Sequence, residues 1–376
     1  MPHYAETLRL ALINEVCDGM TECSPILLPL AGLRIVLNAG HGAGFFFNRV
    51  LQDLGADVTN SLGVNPDSSF PKGIPNPEDP KMVEATKTAC EVCNADIGIM
   101  LDTDADRCGF IVPRIVNPSY SSGYEPLNRN RLIAFLGVIF AQSSPGCTIV
   151  TDSCTSEGLE RFLEKTLGLH HERYLKGYAN VIGKAKELTE SGVANAEVAI
   201  ETSGHCAMKE NGYLDDGTYT AVKVIGCLAK LARERSAENG QHHKSLLELI
   251  KDLPEMAEVK ELRMNVLDGK LESTKDIFLR IVKRIEELCV EQQTLQWEFD
   301  DKNLEGVRAR IGDDAFFMIR KSLHDPIISI QLEGRSSQEL CKRVINPLIS
   351  VLRVDMGLES VVDLHSLEKY QSSAQI

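Results

Sequence analysis

The chain has 376 residues, 43% of them hydrophobic and 25% charged, a globular balance that excludes a disordered protein and supports more than one core. With 54 acidic against 40 basic residues the net charge is −14, which argues against a nucleic-acid or anionic-membrane binder and requires local positive charge wherever an anionic substrate is met. Eleven cysteines, an odd number scattered singly through apolar segments, read as reduced thiols of an intracellular protein.

The start, "MPHYAETLRLALINEVC", lacks the cationic region, apolar core and cleavage site of a secretory signal. From Gly32, "GLRIVLNAGHGAGFFFNRVLQDLGADV" gives a β-branched strand, a loop of small residues, a helix, Leu-Gly and a second strand. Its glycine loop at 38–44 lacks the dinucleotide spacing and a P-loop lysine. A tight strand-to-helix turn is the preferred reading and a phosphate cradle the alternative. "CEVC" at Cys90 and Cys93 lies in a helical pattern and reads as packed thiols rather than a zinc site. "NADIGIMLDTD" from Asn94 is a buried strand running into an acidic loop. "LIAFLGVIFA" at 132–141 is too short to span a bilayer and reads as a buried helix.

The pattern then repeats. "GCTIVTDSCTSEGLERFLEKTLGLHHERY" from Gly146 follows the Gly32 segment at an offset of 114, and "NAEVAIETSG" from Asn195 follows the Asn94 segment. Strands alternating with helices predict an α/β fold: two similar α/β units with mixed sheets, at 1–120 and 121–255. After about residue 230 the character changes. A short helix at "SLLELIKDLPEM" is closed by Pro254, and strands at "VKELRMNVLD", "LQWEFDD", "GVRARI", "AFFMIRKS" and "IISIQLEG" flank a long amphipathic helix at "KDIFLRIVKRIEELCVEQ". This predicts a C-terminal α+β domain with an antiparallel sheet at 256–376. The tail "LEKYQSSAQI" reads as a frayed end.

Three loops carry candidate chemistry. Asp102, Asp104 and Asp106 alternate directly after a buried strand and precede Arg107. Carboxylates at that spacing suit a hard divalent ion such as Mg2+. An EF-hand is excluded because Arg107 stands where glycine is needed and Pro113 where an acid is needed. The aspartyl-phosphate pattern Asp-x-Asp-x-Thr/Val stays open, with Asp106 departing from it, as does a solvated acidic turn. In "ETSGHCAMKENGYLDDG", Glu201, Ser203 and His205 alternate in the same way. A carboxylate beside a hydroxyl grips a vicinal diol, and His205 either moves a proton or is a hydrogen-bonded structural histidine. Asp215 and Asp216 read as a turn and helix N-cap. "RKSLHDP" at 320–326 offers Arg320, Lys321, Ser322 and His324 as a phosphate cradle, with a surface turn as the competing reading.

Together these loops resemble the α-D-phosphohexomutase superfamily, the phosphoglucomutase and phosphomannomutase group. Asp102-Thr-Asp104-Ala-Asp106-Arg107 is similar to the family's metal loop, Glu201-Thr-Ser203-Gly-His205 to its sugar-recognition loop, and Arg320-Lys-Ser322-Leu-His324-Asp-Pro326 more loosely to its phosphate loop. The resemblance implies an isomerase that moves phosphate reversibly between O1 and O6 of a hexose by way of an enzyme phosphoserine and a hexose 1,6-bisphosphate. Asp102, Asp104 and Asp106 would hold Mg2+, and Arg107 and His205 would be catalytic. Glu201, Ser203, Arg320, Ser322 and His324 would bind the hexose phosphate. The family's phosphoserine loop, of the form Thr-Ala-Ser-His-Asn-Pro, does not occur in this sequence, and Ser153 stands where a basic residue is common. The expectation is thus a mutase without its first domain, a non-catalytic sugar-phosphate binder being the alternative. Cytoplasm and plastid are both open as locations, since a targeting segment would lie upstream.

Overall fold

The computed structural model of the protein describes residues 2–17, 28–114, 123–237, 245–291, 295–312, 315–322 and 325–374. They pack as two units. The first comprises Met1–Asp152, Phe162–Glu172 and Gly177–Leu253, the second Ser153–Arg161, Arg173–Lys176 and Pro254–Ile376.

The first unit opens with α1 (Pro2–Cys17), then β1 (Ile35–Asn38), whose four residues are all buried. A 3-10 turn at Ala43–Phe46 leads into α2 (Phe47–Asp53). Helix α3 (Pro80–Cys93) starts where the Asp79 carboxylate accepts from the Lys81 amide at 2.8 Å, and it stops at Asn94 in the left-handed conformation. Next come β2 (Ile97–Leu101), β3 (Cys108–Pro113) and β4 (Tyr124–Leu127). The sheet order is β1-β2-β3-β4, with β1 and β2 parallel and the other neighbours antiparallel. Helix α3 seats closely because Gly98 of β2 has no side chain; a Cβ there would stand 2.6 Å from the Cys90 sulfur.

The second repeat follows the same plan. Helix α4 (Arg129–Ser143) buries nine consecutive residues, Leu132 to Phe140, as its apolar run predicts. After it come β5 (Thr148–Thr151), the short α5 (Glu157–Arg161) of the second unit, β6 (His170–Arg173), α6 (Tyr178–Glu190), β7 (Ala196–Ile200), β8 (Cys206–Met208) and α7 (Gly217–Ala237). The order is β6-β5-β7-β8; β5 and β7 are parallel, and β8 turns back antiparallel on β7. In each repeat the acidic loop joins the second member of the parallel pair to an antiparallel return strand. That is the mixed-sheet repeat the sequence predicts.

The second unit is built on a five-stranded antiparallel sheet of order β10-β11-β12-β13-β9, from β9 (Glu258–Asn265), β10 (Glu298–Phe299), β11 (Val307–Ile311), β12 (Ala315–Lys321) and β13 (Ile327–Gly334). Helix α8 (Leu271–Glu291) lays Ile277, Ile281, Ile285 and Cys289 into the core from successive turns. Trp297 meets Phe317 edge-on at 4.7 Å. Arg308, fully buried, is held by Glu157 at 2.7 Å and Asp300 at 3.3 Å and lies over the Phe316 ring at 3.6 Å. The tail departs from expectation. Instead of fraying, His365–Ser373 is a helix, because Leu367 and Tyr370 find places in the core. Every cysteine among the described residues is a free thiol, and no described helix is long and apolar enough to cross a membrane.

Candidate functional site

Strand β2 delivers Asp102 to a nearly solvent-free position, 1% exposed. The chain turns through Ala105, which takes a left-handed φ of 68°, and enters β3. Arg107 is the positive partner such a loop needs. Its amide donates to Asp102 Oδ1 at 3.1 Å and its Nε to Asp102 Oδ2 at 2.7 Å, while its terminal nitrogens have no hydrogen-bond partner among the described residues. One carboxylate oxygen each from Asp102, Asp104 and Asp106 lies within 4.8 Å of the others. Asp106 Oδ1 is buried without a hydrogen bond, and burial together with the Asp102 carboxylate pushes the Asp106 pKa up to about 7. Three converging carboxylates, one of which also carries an orphaned buried oxygen, fit a divalent cation such as Mg2+, whose charge would favour the ionised form.

The glycine loop supports this hairpin. The amides of Ala39, Gly40, His41, Gly42 and Ala43 donate to Leu62 O, Asn38 Oδ1, Gly63 O, Ala39 O and Thr103 O. Five consecutive N–H groups are thus committed within the fold, which favours the tight-turn reading over a phosphate cradle.

The hairpin between β7 and β8 presents the second loop. Glu201, 5% exposed, accepts from the Gly177 amide through Oε1 at 2.7 Å, and Ser203 donates to its Oε2 at 3.4 Å. Thr202 is an anchor, its hydroxyl donating to buried Asp152 at 2.7 Å. His205 Nδ1 lies 2.8 Å from Asp215 Oδ2, and Asp215 is fixed in turn by the Cys206 amide at 3.0 Å. Burial opposes charge on this imidazole, but the hydrogen bond and charge of Asp215, with Asp106 and Glu201 nearby, raise its pKa above the ordinary value. The Nδ1 contact directs Nε2 away from Asp215. Asp215 therefore does more than make the expected turn, whereas Asp216 is the expected cap, accepting from the Tyr219 amide at 3.0 Å.

The two loops are locked together within the first unit. Arg107 pairs with His205 in an antiparallel bridge, and Asp106 Oδ2 stands 3.7 Å from His205 Nδ1. Gly204, at φ +99°, allows this approach: a Cβ would fall 2.6 Å from the Cys108 carbonyl oxygen. Two further residues that sequence reasoning missed belong here. Gly177, at φ +116°, delivers its amide to Glu201, and Tyr178 stacks on His205 with ring centroids 5.0 Å apart and planes at 27°. Neither lies in a motif, so no local signal marks them.

In the second unit Arg320, the penultimate residue of β12, places Nη2 3.5 Å from Glu261 Oε2. Ser322 closes the following turn, donating its amide to Ile327 O at 2.9 Å and accepting from the Asp325 amide through Oγ at 3.2 Å. Lys321 Nζ donates to Ser322 O at 2.7 Å. His324 lies outside the described residues.

Residues 18–115 match the family description phosphoglucomutase/phosphomannomutase, alpha/beta/alpha domain II, and residues 128–256 match domain III of the same family. A phosphomannomutase/phosphoglucomutase of Pseudomonas putida is 27% identical over 82% of this chain and 58% of its own length. A phosphoglucosamine mutase of Sphingopyxis alaskensis is 28% identical over 94% and 69%. Among solved structures, a phosphoglucomutase/phosphomannomutase family protein of Burkholderia thailandensis superposes with a TM-score of 0.68 at 21% identity, covering 93% of this chain and 64% of that one. An Aspergillus fumigatus N-acetylphosphoglucosamine mutase solved with GlcNAc-6P and magnesium gives 0.51 at 12% identity, covering 89% and 66%. The chain thus spans 58% of the P. putida relative and 69% of the S. alaskensis one.

Proposed function

The chain belongs to the phosphoglucomutase/phosphomannomutase family, a group of mutases and so isomerases, and from that premise we propose that it carries the metal and sugar loops of a phosphohexomutase acting between hexose 1-phosphate and hexose 6-phosphate. We divide it into a metal-loop domain at 1–120, a sugar-loop domain at 121–255 and a phosphate-binding domain at 256–376. The observation that carries the reading is the 3.7 Å approach of Asp106 to His205, which brings the metal loop and the sugar loop to one place.

Asp102, Asp104 and Asp106 would hold Mg2+, which when bound neutralises charge on a phosphoryl oxygen in transfer. Arg107 keeps Asp102 oriented through Nε and offers its terminal nitrogens to the phosphoryl group. Glu201 and Ser203 take neighbouring sugar hydroxyls, and His205, held through Nδ1 by Asp215, exchanges a proton with the sugar oxygen through Nε2. Arg320, Ser322 and His324 take the phosphate that is not transferred. A hexose 1,6-bisphosphate would be the species that reverses its orientation between the two transfers.

The test is calorimetric titration of the purified chain with glucose 6-phosphate in the presence and absence of Mg2+. We expect saturable, Mg2+-assisted binding, and Asp104→Asn should weaken Mg2+ at least as much as the ~10-fold lost with an outer-sphere partner. Equal Mg2+ affinity in that variant refutes the metal assignment. Added glucose 1-phosphate and catalytic glucose 1,6-bisphosphate then read turnover. Turnover abolished by Asp104→Asn supports the mutase reading, and binding without turnover selects a sugar-phosphate binder that performs only the receiving role.

A further inference from the structure

Asp106, His205 and Asp215 form a second group of converging donors beside the three aspartates. One ligand atom from each lies within 4.8 Å of the others. His205 Nδ1 stands 2.8 Å from Asp215 Oδ2 and 3.7 Å from Asp106 Oδ2. With metal–ligand bonds of about 2.0–2.2 Å, the ligands of a tetrahedral ion are about 3.3–3.6 Å apart, so small opposite shifts of the two carboxylates would admit one. The donors are already oriented. Asp215 Oδ1 accepts from the Cys206 amide at 3.0 Å, which leaves Oδ2 to face the imidazole, and Tyr178 stacks on the ring. Asp106 Oδ1, buried without a hydrogen bond, belongs to a carboxylate whose charge is under-compensated. The side chains of His205, Asp215 and Asp106 are 16%, 15% and 30% exposed, so an ion can reach them from solvent.

We infer that Asp106, His205 and Asp215 are a binding site for a divalent transition ion of the zinc class, separate from the Mg2+ triad of Asp102, Asp104 and Asp106 but sharing Asp106 with it. Donor chemistry separates the two. Three carboxylates offer the all-oxygen set that a hard ion takes, whereas an imidazole nitrogen beside two carboxylates suits Zn2+. Two carboxylates match its charge, and the fourth position is left to water. Zn2+ takes the place of the Nδ1 proton, which leaves to solvent. An ion there replaces the Asp215 hydrogen bond that orients His205 and draws Asp106 from the aspartate loop, so it opposes the chemistry proposed above. The site itself is independent of the hexose-phosphate reading.

The experiment titrates Zn2+ alone into the full chain carrying isotope-labelled histidine and follows, by nuclear magnetic resonance, the imidazole signals that are missing from His205→Gln. In the wild-type chain the His205 Nδ1 signal should shift saturably. Reading affinity at that signal keeps zinc bound at other histidines or at cysteines out of the measurement. Asp106→Asn and Asp215→Asn should each lose at least ~10-fold in affinity, no less than the loss of an outer-sphere partner. Asp104→Asn, which touches only the Mg2+ triad, should stay within about two-fold of wild type. Circular dichroism and urea midpoints check that the variants keep the fold. A His205 signal that does not respond to Zn2+ in the wild-type chain overturns the inference without recourse to any variant. Equal losses in Asp104→Asn and Asp215→Asn also overturn it, since the ion would then sit on the aspartate loop. Unchanged affinity in Asp106→Asn and Asp215→Asn does the same, because the imidazole would then bind zinc without the two carboxylates.

Discussion

Replacing Gly204 by alanine tests whether close backbone approach holds the two acidic loops together. The added Cβ would lie 2.6 Å from the Cys108 carbonyl oxygen, a backbone atom that cannot swing aside, and 3.4 Å from the Cys108 nitrogen. Restoring ordinary van der Waals separation near 3.5 Å requires the strands to part by about 0.9 Å. That displacement acts on the Cys108 to Gly204 hydrogen bond, already 3.4 Å long, and on the Arg107–His205 bridge beside it. Overpacking of this kind costs about 1–3 kcal/mol, and the φ of +99° adds roughly 1–3 kcal/mol for a residue with a side chain. Gly212 is the control. Its φ is +64° with nothing within 4 Å of the would-be Cβ, so Gly212→Ala should show the conformational cost alone, about 1–2 kcal/mol. Urea unfolding gives both stabilities, and calorimetry gives Mg2+ and glucose 6-phosphate affinities. Gly204→Ala should be the less stable variant and bind both ligands more weakly, whereas Gly212→Ala should bind normally. Equal stability and unaltered binding in the two variants would refute the argument that contact at Gly204 sets the site.

Two further outcomes follow from packing remote from this site. Lys223, with its side chain 6% exposed, bridges Glu15 at 2.6 Å and Glu210 at 3.0 Å. Lys223→Met should cost about 2–3 kcal/mol, less than the ~3–5 kcal/mol of a fully buried pair, because Lys230 remains 3.4 Å from Glu15 and Glu210 is partly open. Burial opposes the ammonium, but Glu15 and Glu210 outweigh it and raise its pKa. The stabilisation should therefore be complete below the unfolded value near ~10.4 and disappear only as pH rises through the higher folded value. A wild-type advantage in thermal midpoint that vanishes by neutral pH contradicts this sign. In the second unit, Phe317→Ala removes a fully buried ring packed on the protein's one tryptophan, Trp297. It should destabilise that unit by about 3–5 kcal/mol, read as an earlier Trp297 fluorescence transition. A midpoint shift equivalent to less than about 1 kcal/mol would show that the cavity closes.

What could be read without the fold was whatever repeats or alternates locally. Short, almost continuously buried runs in "IGIML" and "AEVAI", and the matched segments from Gly32 and Gly146, sufficed for two α/β repeats, since those signals depend on near neighbours in the chain. The aspartate loop and the Glu-x-Ser-Gly-His loop were legible for the same reason: their functional groups alternate along one short stretch. The C-terminal helix was not, because "LEKYQSSAQI" has weak propensity and the helix is held by tertiary contacts, burial of Leu367 and Tyr370 and the Tyr370 hydroxyl donating to Glu258 at 3.0 Å. Nor were Asp215 and Tyr178, whose roles depend on partners ten and twenty-seven residues away in the chain. The sequence by itself thus determined which loops carry carboxylates, hydroxyls and an imidazole. Only the tertiary structure decided that Asp106 faces His205, because that contact depends on two hairpins meeting at a glycine with no Cβ to hold them apart.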